Sequence, residues 1–151
     1  MVTFMGCGTE LQERATSFRP IATVEEIMHS MIDPAADGVW DSVVTTATLD
    51  GVRTEVPDTP QEWQELRRHA VTLLEATNLL LIDGRSIARA ESKSELPGID
   101  LEPEEIELLV ASDREAWTKL VGGLYDSALS VLKAADDADI DGLLVAGANL
   151  D

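Results

Sequence analysis

Cysteine, aromatic and basic residues are all scarce in this chain of 151 residues. The single cysteine, Cys7, excludes an internal disulfide, so packing alone must hold the fold. Six aromatic side chains, three of them Trp, leave a core of Leu, Ile, Val and Ala, which suits packed helices. Only 11 Lys and Arg stand against 29 Asp and Glu, for a formal net charge of −18. That balance excludes nucleic acid, because phosphate binding needs a basic face. Anionic membrane surfaces are disfavoured for the same reason. A basic partner protein would be attracted; the plainer alternative is a solvated acidic surface that keeps the chain soluble, as in a salt-adapted protein. No apolar run approaches the about 18 residues of a membrane span. Enzyme templates are missing too: there is no HExxH, P-loop or GxGxxG. His29 and His69 stand on separate helices beside no matching Cys or Ser motif and read as helix-edge residues. The acids show no apolar setting that would raise a pKa for acid–base work. The chain therefore reads as a non-enzyme.

What is present is amphipathic helix. In Thr23 to Ala47 the apolar residues Val24, Ile27, Met28, Met31, Ile32, Ala35, Val39, Trp40 and Val43 recur at steps of three and four, which predicts one wide apolar stripe. Thr23 and Glu26 form a capping box at its start. Pro34 falls inside the pattern and predicts a kink near Ser30 to Asp33. Asp50-Gly51, with Thr, Leu, Val and Arg on either side, predicts a small hairpin-like excursion within Thr48 to Pro57. Thr59-Pro60-Gln61-Glu62 opens a second helix, whose stripe runs from Trp63 to Leu81 and stops at Asp83-Gly84. After a connection over Arg85 to Gly98, Pro103-Glu104-Glu105 opens a third helix reaching Ala135, with Ser112-Asp113 as a break or bend. Asp136 to Asp141 is an acidic joint, and a fourth helix starts at Gly142 and is cut short at Asp151. The expected fold is all-α: an antiparallel four-helix bundle with a kinked first helix and a short excursion between helices one and two.

At this length the chain is one domain, able to bury roughly two-thirds of its unfolded surface. Residues 1–20 read as a flexible lead segment and 21–151 as the bundle domain. The run MVTFMGCG looks like the tail of a bacterial lipoprotein signal, whose cysteine carries the lipid. Its few apolar residues are too short for an h-region, so either the true start lies upstream and Cys7 carries a lipid anchor, or the match is accidental.

The joint contains Asp137-Ala138-Asp139-Ile140-Asp141-Gly142, the first half of a D-x-D-x-D-G calcium loop. Alternating carboxylates around a glycine turn suit an oxygen-ligated cation. The loop's twelfth position, a bidentate Glu, is Ala148 here. The competing reading has Asp139 or Asp141 capping the fourth helix.

Taken together, IMHSMIDPAADGVWDSV, TPQEWQELRRHAVTLLEATNLLLIDGR, LEPEEIELLVASDREAW and ALSVLKAADDADIDGLLVAGANLD resemble the bacterial cytochrome c-prime-like four-helix-bundle family. The likeness spans Val24 to Asp151 and is carried most by Ile27-Met28, Asp33-Pro34, Trp40, Pro60 to Trp63 and Asn78-Leu79-Leu80. It implies a periplasmic electron carrier or gas-binding protein holding haem c through Cys-x-x-Cys-His, with a redox partner protein, basic by charge. It also implies a distal haem face on helix one, with Met28 as iron ligand and Val24 and Ile32 one turn away. A homodimer is compatible with it. No Cys-x-x-Cys-His is present, so the chain as written attaches no haem c. Either a truncation has removed the motif, or this is a haem-free acidic helical bundle acting as an interaction protein.

Overall fold

The computed structural model describes residues 18–49 and 51–150. Its elements are α1 (Val24–Ile27), a π-helical turn (Met28–Ile32), α2 (Asp33–Trp40), β1 (Val44–Thr48), β2 (Gly51–Glu55), α3 (Pro60–Leu80), α4 (Pro103–Ser112), α5 (Arg114–Asp137) and α6 (Ile140–Ala148). The expectation of an all-α four-helix bundle is overturned. Counting the continuous α1–α2 run as one rod, the described residues form five helices and a two-stranded antiparallel sheet.

Two local causes account for the difference. The first rod stops at Trp40, short of Ala47, because Val43, Val44, Thr45, Thr46 and Thr48 are β-branched and lose rotamer freedom in a helix. Val44–Thr48 instead pairs with Gly51–Glu55, with Thr48 opposite Gly51. Asp50, half of the predicted turn, lies outside the described residues, as do Cys7 and nearly all of the lead segment. The second cause is Asp113, which leaves helical geometry at φ −138°, ψ 75°. Its Oδ1 accepts from the Ala116 amide at 2.9 Å, so one long third helix becomes α4 and α5.

The disturbance expected around Pro34 takes the form of the π turn. Asp33 N–H donates to Met28 O, five residues back, and the α-helix restarts with Pro34 in its first turn. Proline is tolerated in a first helical turn. Thr23–Glu26 and Thr59–Glu62 both form reciprocal capping boxes, as the spacing predicted.

The core lies where α3 packs on α5 and on α2, and where α6 packs on α5. Ile27, Val39, Leu66, Leu73, Val131 and Leu143 are fully buried there. Buried Thr77 satisfies its hydroxyl on Leu74 O at 2.8 Å. The segment after α3 returns to the start of α1: Val24 N–H donates to Ser86 O at 3.0 Å and Glu25 N–H to Ile87 O at 2.9 Å. The Arg85 guanidinium donates to Ala22 O, and Arg89 pairs with Glu26. Trp40 Nε1–H reaches Gly147 O at 3.1 Å and ties α2 to α6. None of the helices among the described residues is long and apolar enough to cross a membrane.

Candidate functional site

The residues expected to face a haem are placed first by burial. Val24 and Ile32 are in the core at 9% and 3% exposure, and Met28 is half-buried against it. None of the three lines the clefts beside Gly38, Trp40, Leu79, Pro20 or His29. The donor set does not fit a haem c: the chain has no thiol pair or adjoining histidine.

The three aspartates of the α5–α6 joint are each used by a helix. Asp137 ends α5, Asp139 caps α6 and Asp141 sits in its first turn. Asp139 Oδ1 accepts from Gly142 N–H at 3.0 Å. A Cβ on Gly142 would stand 2.4 Å from Asp139 Oδ2, so the glycine admits the cap. No group of three His, Cys, Asp or Glu among the described residues is placed to hold a metal ion.

A different constellation is assembled by the fold. Asp33, Asp37 and Asp41 are exposed and spaced four apart, which puts them in one row along α2. The row ends in a cleft of ≈ 360 Å³ between the end of α2, the base of the hairpin and the first turns of α3. Asp41, Glu55, Glu62, Glu65 and His69 line it, with Gly38 and Leu66 on its walls. No Lys or Arg lines it.

Three of the four cleft carboxylates have partners. Glu62 Oε2 accepts from Asp58 N–H and Thr59 N–H at 3.0 Å each and from the Thr59 hydroxyl at 2.8 Å. These donors, the Asp58 amide foremost, pull its pKa down to about 2, so it is an anion. Glu55 meets Arg53 at 3.4 Å and Glu65 meets Arg68 at 3.6 Å, both in exposed pairs of the kind that contribute little. Asp33, Asp37 and Asp41 form no ion pair among the described residues. From Pro20 to Val52 the sequence contains no Lys or Arg at all.

Sequence reasoning left His69 as a helix-edge residue and did not group these acids. Part of the signal was present: Glu62, Glu65 and His69 follow steps of three and four on α3, and so share a face. His69 is half-buried, with its ring lying over the backbone of Gly38. His29 is exposed on the π turn, in a separate shallow cleft with Glu25, Glu26 and Arg89. No family model matches the chain, and neither a curated protein nor a solved structure matches it.

Proposed function

We propose that this chain is a haem-free interaction protein that docks a basic partner on the carboxylate row of α2 and the acidic cleft below it. One observation carries the reading. Asp33, Asp37 and Asp41 repel one another at four-residue spacing, and Asp37 and Asp41 lie at the negative end of the α2 dipole, where no basic residue offsets them. Each like-charge pair costs roughly 0.2–0.5 kcal/mol, and an acid at a helix C-terminus about 0.3–1 kcal/mol more. Nothing within the described fold offsets that cost by a salt bridge. A cationic surface would relieve both terms at once, and the net charge of −18 would steer it in.

The test uses octalysine as probe and isothermal titration calorimetry as readout. Neutralising Asp33, Asp37 and Asp41 together to Asn is expected to weaken binding about tenfold, at roughly 0.5 kcal/mol per exposed charge. The same variant should melt at a higher temperature than the parent. A control neutralising Glu91, Glu95 and Asp100 changes the net charge equally and should leave affinity within about twofold. Equal loss in both variants would refute a localised site, and absence of binding at low salt would refute the reading altogether. Haemin added to the protein should give no Soret shift.

A further inference from the structure

Beside the acidic cleft stands an element with no core beneath it. All ten residues of β1 and β2 are exposed, and among the described residues the sheet has only these two strands. A lone hairpin is marginally stable in water, and a third strand would stabilise it. Natural sheet edges are guarded by charge, proline or bulges. β2 carries Arg53 and Glu55, whereas β1 is Val-Thr-Thr-Ala-Thr, with no charge, proline or glycine.

Register fixes which backbone groups of β1 point outward. Thr48 and Gly51 flank a two-residue turn, so they exchange hydrogen bonds, as do Thr46 with Arg53 and Val44 with Glu55. Thr45 and Ala47 then turn their N–H and C=O away from β2, and neither finds another backbone partner among the described residues. Val44 and Glu55, the pair at the hairpin base, both line the acidic cleft. A strand added along β1 would therefore end at Asp41, Glu55 and Glu62.

We infer that the partner of the preceding section presents an extended basic segment, which adds to the outer edge of β1 and places a Lys or Arg side chain in the cleft. The occupant is chosen by charge. A second copy of this chain would bring another −18 to the same edge, whereas a basic strand satisfies the Thr45 and Ala47 backbone groups and the carboxylates together. This inference rests on the basic-partner reading and adds the conformation of the segment and its docking edge.

The test compares two acetylated, amidated octapeptides of alternating Lys and Val, one unmodified and one N-methylated at every second residue. Both carry the same charge, but the methylated peptide lacks the amide donors that one edge requires. The unmodified peptide should bind about tenfold more tightly, the scale expected for a few backbone hydrogen bonds. Its binding should slow hydrogen exchange at the Thr45 and Ala47 amides. In the chain, Ala47→Pro removes an outward donor at an edge position where proline is tolerated. That variant should lose the difference between the two peptides and keep its octalysine affinity. Equal affinity of the two peptides for the parent, with no protection at Thr45 and Ala47, would overturn strand addition and leave the basic-partner reading standing. Failure of both peptides and of octalysine to bind would overturn the two together.

Discussion

Gly38 and His69 make the sharpest claim about how α2 meets α3. A Cβ at position 38 would stand 2.3 Å from His69 Cε1, 2.5 Å from Nε2 and 2.6 Å from Nδ1, closer than any side chain tolerates. Gly38→Ala must therefore expel the imidazole from its place on the α2 backbone. Two terms oppose each other. Alanine in a helix interior gains about 1 kcal/mol over glycine. Overpacking a fitted contact costs about 1–3 kcal/mol. The net expectation is a loss of about 0–2 kcal/mol in the parent. In a His69→Ala background the obstacle is gone, and Gly38→Ala should then stabilise by about 1 kcal/mol. The coupling between the two sites is the overpacking term itself, in the range seen for residues in contact. Urea unfolding followed by far-ultraviolet circular dichroism measures all four corners of this cycle, with slopes that must agree for the comparison to hold. Gly38→Ala raising stability by the same amount in both backgrounds would refute the argument, because the ring would then be free to leave at no cost.

Four further outcomes follow from the same structure. Glu62 has a folded-state pKa near 2 against an ordinary 4.5, so its contribution is complete above pH 4.5 and is lost as pH falls towards about 2. An acid titration of stability should thus fall more steeply for the parent than for Glu62→Gln across that window, and parallel curves would refute the assignment. Ala138 holds φ 51°, a left-handed conformation that favours glycine, so Ala138→Gly should stabilise by about 1 kcal/mol in urea unfolding. Leu73 is fully buried, and Leu73→Ala should cost about 2–5 kcal/mol; a loss below about 1 kcal/mol would show that the site is not packed as described. The Asp139 carboxylate is committed to the α6 cap, so the melting midpoint should be the same in calcium and in chelator.

Legibility in the sequence followed the range of the interaction. Both capping boxes involve residues three apart and were readable, as were the start of α3 and the disturbance near Pro34. The apolar periodicity identified the core residues Ile27, Ile32, Val39, Leu73 and Val131. Val43 packs against the core as the stripe predicted, but it lies beyond the end of α2, where a β-branched run has already begun. The expected break or bend at Ser112-Asp113 is a full break between α4 and α5, although the apolar stripe resumes after it. The competition between a side-chain cap and a continuing helix is settled by packing, since α4 itself buries no residue. The candidate site was half legible: Glu62, Glu65 and His69 share a helical face by number alone, but Asp41 and Glu55 join them only through the fold.

By itself the sequence determined the local terms: which segments are largely helical, where three of them start, that no internal disulfide contributes, and that the surface is strongly anionic. Each of these depends on neighbours within a turn or two, or on composition. Tertiary structure alone decided that Val24 and Ile32 serve the core, with Met28 packed against it. It alone brought the α2 carboxylates to the foot of a hairpin whose outer β1 edge meets no backbone partner among the described residues. An apolar stripe specifies that a face must be covered, and the same stripe serves a cofactor or another helix. Which one covers it depends on contacts between residues far apart in the chain, and these form only when the rods pack.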